Sequence, residues 1–186
     1  MDRSEQRTSP ESAAGAAPEP WLRGPVPGIP PILMPAAHAL MQAAEDIPRA
    51  ASSLTPHELW ARPGGAASVG FHLRHVAGSI DRLLTYARGA SLERAQIATM
   101  RSEGEPGEPP ADAATLLAGV STAIERVLGE LRSARTDTLF EPRGVGRAQL
   151  PTNVFGLLVH IAEHTQRHSG QIIATAKIVR ALGLGA

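Results

Sequence analysis

Cysteine is absent from the chain, and that absence removes disulfides, thiolate metal sites and cysteine nucleophiles from consideration. Any metal ion must then be held by histidine and carboxylate. Aromatic residues make up only 3% of the sequence, too few for the stacking platforms of a single-strand nucleic-acid binder. Excess charge is missing as well, since 18 lysines and arginines balance 18 aspartates and glutamates. A neutral chain has no general attraction for nucleic acid or for an anionic membrane. The longest apolar run, around Val154 to Val159, stops at His160, far short of the roughly 20 residues that a spanning helix needs. The opening stretch MDRSEQRTSPESAAGAAPEP holds no apolar segment of signal-peptide length. The expectation is a soluble, cytoplasmic protein without nucleic-acid or membrane partners.

What is present is arranged in order along the chain. Residues 1–20, rich in Ala, Ser, Glu, Pro and Gly, read as a disordered tail. Residues 21–186 read as one domain, long enough at this size to bury a substantial core. Pro25, Pro27, Pro30 and Pro31 forbid helix between Trp21 and Pro31 and predict an extended strap, with Trp21 and Leu22 as its anchors. Apolar residues then recur at helical spacing four times. The first series is Ile32, Leu33, Ala36, Leu40, Ala43, Ala44 and Ile47, predicting a helix over 32–53 that Pro48 kinks or ends. The second runs from Ser68, a predicted N-cap, to about Arg88 through Val69, Leu73, Val76, Ile80, Leu83 and Ala87. A third spans about 112–132, and a fourth starts at Thr152 or Asn153 and ends near Leu182.

The connections are long. Thr55-Pro56-His57-Glu58 reads as a capped short turn, 91–101 as a short helix, and EGEPGEPP at 103–110 as a polar loop. Residues 136–151 form an irregular crossing with room for a short hairpin. Together these features specify an all-α fold, a four-helix bundle with long crossover connections behind a disordered tail and a Pro-rich strap.

Five of the seven histidines fall in two short segments. His164 and His168 stand four residues apart and extend the stripe of Leu157 and Ile161 toward Ile172, Thr175 and Val179, so both face inward from one side of the helix. Buried imidazoles need partners, either a shared ion or hydrogen bonds to carbonyls and carboxylates, because an unpaired buried polar atom costs about 1–3 kcal/mol. A third imidazole is available from His72 or His75, and periodicity alone favours His72. His57 reads as a solvated bystander and His38 as a core or rim residue. His160-Ile161-Ala162-Glu163-His164 also matches the inverted zinc-protease pattern H-x-x-E-H, which would use His160 and His164 as ligands and Glu163 as base. A di-iron carboxylate site is excluded, since no glutamate has a histidine three residues later. Gly144-x-Gly146 is a weak match to a phosphate-binding loop.

Two segments, SVGFHLRHVAGS at 68–79 and HTQRHSGQI at 164–172, resemble the DinB-like superfamily of metal-binding four-helix bundles, and the resemblance covers about residues 30–182. It implies Ser68 as a cap and His75, His164 and His168 as metal ligands, overriding the preference for His72. His72 and His160 then become groups behind the ligands or facing substrate, and Glu163 a neighbour able to orient an imidazole or act as base. The resemblance implies a divalent ion, for which zinc or nickel suits three imidazoles, and a low-molecular-weight thiol as co-substrate. The implied activity is transfer or isomerisation of small electrophiles with that thiol. Its alternatives are a hydrolase using metal-bound hydroxide and a non-catalytic metal-binding stress-response bundle. A small-molecule substrate and pairing into a homodimer follow from the same source.

These alternatives make different structural demands. A transferase needs a pocket with cationic rim groups, for which Arg143 and Arg147 are candidates. A hydrolase needs a carboxylate within one water of the ion. A structural site needs a fourth protein ligand, such as His72 or His160. Asp81 and Arg82 read as solvated or paired, and Tyr86 as pocket lining.

Overall fold

The computed structural model describes residues 17–184. Four long helices form the bundle: α1 (Met34–Ala51), α3 (Val69–Ala87), α5 (Ala113–Ser133) and α6 (Val154–Ala181), with short α2 (Pro56–Trp60) and α4 (Arg94–Arg101) in the connections. Both α1 and α3 pack against α5 and against α6. Helices α1 and α3 therefore occupy opposite corners, and the chain crosses the bundle between them and again between α5 and α6. The second crossing carries an antiparallel hairpin, β1 (Pro142–Val145) and β2 (Leu150–Asn153), with Pro142 opposite Asn153 and Val145 opposite Leu150.

Helix boundaries follow local chemistry. Ser68, Asp112 and Asn153 each accept a hydrogen bond from the backbone N–H three residues on, at 3.1, 2.8 and 2.7 Å, which satisfies donors that a helix start leaves orphaned. Thr55 and Glu58 form a reciprocal capping box on α2. Pro48 does not end α1, which continues to Ala51. A proline one turn from the helix end removes a bond where few remain to be lost.

The first helix differs from expectation at its start. Residues Pro31–Leu33 form a separate 3-10 turn, and Ile32 and Ala44 face outward. The inward stripe is Leu33, Ala36, Ala37, Leu40, Ala43, Ile47 and Ala51. On α3, Leu84 and not Leu83 completes the buried row.

The strap is held differently from the sequence reading. Trp21 and Leu22 are 61% and 56% exposed, while Pro20 and Ile29 are buried. Arg23 grips Glu45 of α1 through both guanidinium nitrogens, and His38 Nε2 lies 2.9 Å from the Gly24 carbonyl. Polar contacts to α1 thus fasten the segment, and Pro20–Leu22 forms a 3-10 turn within it. Of the expected tail, residues 1–16 lie outside the described residues. No described helix is long and apolar enough to cross a membrane.

The core is aliphatic, with Leu40, Ile47, Leu73, Ile80, Ile124, Leu131, Ile161 and Ile172 essentially sealed. Ile124→Ala on α5, remote from the histidines, should cost about 2–5 kcal/mol of unfolding free energy in a denaturant titration. Retained stability would mean that α5 does not pack as described.

Candidate metal centre

Helices α3 and α6 face each other along their length, and their histidines meet at that seam. On α3, His72 and His75 stand three residues apart and share one face with Ser79 and Arg82. On α6, His164 and His168 project toward them. His75, His164 and His168 each offer one ring nitrogen, and these atoms all lie within 4.8 Å of one another. His72 is nearly sealed and lies outside this group, its Nδ1 2.9 Å from His168 Nδ1. His160 is exposed and outside it too. Both helical segments singled out in the sequence thus converge, but the residue that periodicity favoured stands behind the group.

Hydrogen bonds settle which nitrogens face the centre. His75 Nδ1 lies 2.7 Å from Glu103 Oε2, so Nδ1 carries a proton and Nε2 is the nitrogen left to bind an ion. That Nε2 lies 3.0 Å from His164 Nε2. His164 Nδ1 is buried and has no hydrogen-bond partner. If His164 is protonated at Nε2 it satisfies His75 but leaves its own Nδ1 lone pair orphaned. If it is protonated at Nδ1, two lone pairs confront each other at 3.0 Å. A cation between the two Nε2 atoms removes that repulsion, and 3.0 Å is within the span of two nitrogens each about 2.0–2.1 Å from one ion. At His168, Nδ1 is engaged with His72, which leaves Nε2 as the free donor. The three imidazoles therefore fit a divalent ion by number, by tautomer and by spacing.

Burial disfavours the charged form of His72, His164 and His168. It pushes His168 down to about 3, with the neighbouring His75 adding to the effect, and His72 down to about 4 for the same reasons. His164 is lowered by burial and by His75. Neutral imidazole is the form that binds metal.

Glu103 lies in the stretch whose composition predicts a polar loop, and no sequence motif singles it out as a neighbour of the histidines. It is 2% exposed. Burial opposes its ionisation, but hydrogen bonds from His75 and from Arg82 Nη1, the latter at 2.6 Å, outweigh that cost and hold its carboxyl below the usual range. Arg82, expected to be solvated or paired, is paired and buried. Gly78 makes the room: a β-carbon there would lie 2.5 Å from Glu103 Oε1 and 2.7 Å from Arg82 Nη1. Arg74 on α3 binds the carbonyls of Ser102, Glu105 and Pro106, clamping the loop on both sides of Glu103. The available signal was Arg82 itself, a charge one helical repeat along from His75 that needs a counter-charge.

The remaining candidates are spread around the rim. Glu163 is exposed and bonded to Arg167 and His160, so the H-x-x-E-H arrangement is not assembled around a shared ion. His160 still lines a cavity of about 250 Å³ with His75, His164, Leu83 and Tyr86. Arg143 is committed to the Ala87 carbonyl and to Glu141. His57 is exposed, and His38 serves the strap. Asp81 pairs with Arg126 and Gln96.

Residues 39–172 match the family model described as the DinB superfamily. No curated protein matches the chain.

Two measurements follow from this geometry. Glu103→Ala should weaken zinc binding by roughly 10–100-fold in competition with a chromophoric chelator. Glu103→Gln should recover part of that loss, because its amide oxygen still accepts from His75 Nδ1. Equal zinc affinity in wild type and Glu103→Ala would remove Glu103 from any role in orienting His75. In metal-free protein, His72 and His168 bind protons more weakly when folded than the ordinary value of 6.5. The unfolded chain then holds more protons below pH 6.5, so their contribution to stability is full above that pH and falls as pH drops toward 4 and 3. Melting temperature in the presence of chelator should decline through that window, and less so in His72→Gln.

Proposed function

The chain belongs to the DinB superfamily, and from that membership and the geometry of its histidines we propose a metal-dependent enzyme that transfers a low-molecular-weight thiol to small electrophiles, or isomerises them with its help. The observation that carries this reading is the open side of the three-histidine group. His72 and His160 lie outside the set of ring nitrogens that converge, and the cavity reaches His75 and His164 directly. Three protein ligands with an accessible face are the pattern of catalytic and not structural sites.

A bound divalent ion, zinc or nickel by donor type, supplies Lewis acidity and lowers the pKa of a thiol or water brought to it. The chain's own groups do the rest. Glu103 and Phe71 hold the His75 ring, Phe71 by stacking at 5.3 Å between centroids. His160 receives the thiol proton in this reading: it lines the cavity, and with its Nδ1 2.9 Å from Glu163 Oε2 its Nε2 is the acceptor that remains. Leu83 and Met100 give the cavity an apolar wall. The thiolate sulfur then bonds the electrophilic carbon as that carbon's bond to halide or epoxide oxygen breaks, the halide leaving as an anion or the epoxide oxygen taking up the proton held by His160.

Hydrolysis is the second reading, favoured by the same His160–Glu163 pair, which could equally deprotonate water. The carboxylates argue for the thiol. Glu103 is fully occupied by His75 and Arg82, and Glu163 is shared with Arg167, so no unengaged acid stands at the site among the described residues. A thiol, with its pKa near 8.5, needs less help to ionise than water.

Elemental analysis should find about one divalent ion per wild-type chain and loss of it in His75→Ala and His168→Ala. Zinc- or nickel-loaded protein should consume an aryl halide or epoxide only when a low-molecular-weight thiol is added. Turnover of an activated ester without thiol, and none of the electrophile with it, would transfer the assignment to hydrolysis.

A further inference from the structure

A second cavity adjoins the first. It encloses about 560 Å³, more than twice the volume at the histidines, and shares Tyr86, Leu92 and Met100 with it as walls. Two guanidinium groups line it from separate elements, Arg101 in the last turn of α4 and Arg147 in the turn of the hairpin. No aspartate or glutamate lines it. Eight arginines among the described residues pair with carboxylates; Arg101 and Arg147 are among the seven that do not, and these two line the same cavity. With no acidic residue in its lining, that concavity carries a local positive charge in a chain of zero net charge. Guanidinium forks match the paired oxygens of carboxylate and phosphate.

We infer that this groove binds the anionic arm of the molecule whose reacting end enters the histidine cavity, with Arg101 and Arg147 recognising carboxylate or phosphate oxygens. The inference rests on the thiol reading above for the identity of the reacting end, but the groove itself does not. The apolar walls between the two cavities suit an aliphatic or otherwise uncharged middle section. The ligand class is thus an amphiphilic small molecule: a soft, metal-seeking head, a short neutral spacer and an oxyanion tail. The arginine that the sequence offered at the crossing and the structure frees for this role is Arg147, while Arg143 is consumed in tying the hairpin to α3.

The test uses the full chain, with and without added zinc, and separates the groove from the thiol. Succinate and inorganic phosphate are each titrated while backbone amide resonances are followed. The expected result is saturable movement at Arg101, Gly146 and Arg147 with one or both anions, weakened roughly tenfold or more in the Arg101→Gln/Arg147→Gln double variant. Both residues are exposed, so the exchange leaves the fold intact. The anion that moves these resonances more strongly identifies the tail as carboxylate or phosphate. No saturable movement, or equal affinity in the variant, overturns the inference.

Cobalt-substituted protein is then titrated with mercaptosuccinate and with mercaptoethanol, reading the visible spectrum. Mercaptosuccinate should bind roughly tenfold or more tightly than mercaptoethanol, and the double variant should bring the two to parity. Parity already in the wild type overturns the link between groove and histidines. If neither thiol changes the spectrum while the anions still move the groove, the thiol reading fails and the oxyanion site stands.

Discussion

A carboxylate nearly sealed from water sets the terms for the surrounding helices. Glu103 cannot remain ionised at that depth unless its charge is met, and removing one partner of a buried charged pair is costly. Arg82 meets the charge and His75 Nδ1–H donates to the remaining oxygen. The pair is accommodated because position 78 has no side chain, and the loop stays put because Arg74 holds its carbonyls. One irregular connection is thereby made as rigid as the helices it joins, and the orientation of an imidazole follows from it.

The same logic runs through the histidine cluster. Each ring with a defined role has its far nitrogen engaged by something specific: His75 by Glu103 and His168 by His72. His164 is the exception, with Nδ1 buried and unpartnered. Desolvation disfavours the charged forms of His72, His164 and His168, so their lone pairs remain available in the pH range where ordinary histidines begin to protonate. A set of donors converging without a mutual proton arrangement that satisfies all of them is one that could hold a shared cation.

Much of this was legible in the residues. Helical periodicity and short polar caps located α3, α5 and α6 to within a residue or two, because each boundary is fixed by a local hydrogen bond that the sequence spells out. The strap was misjudged at Trp21 and Leu22, since a proline-rich stretch has no periodicity to say which side faces inward. Periodicity also pointed to His72, and it correctly read depth: His72 is the more buried of the two. Depth, however, is not the criterion for a site at the edge of a seam, and the family pattern was needed to bring His75 forward. Glu103 was beyond reach for a different reason. Its role is created by partners 21 and 28 residues away, and nothing in the surrounding EGEPGEPP distinguishes it from the other two glutamates.

The diagonal placement of α1 and α3 has a consequence for how the protein comes into being. Because α3 finds its partner for the histidines in the final helix, the closest ring contacts join residues 89 and 96 positions apart. A ribosome must deliver α6 as well as α3 before those rings can meet. A divalent ion held by all three would therefore be captured only after α6 has joined α3, and would act as a latch on their packing rather than a seed for it.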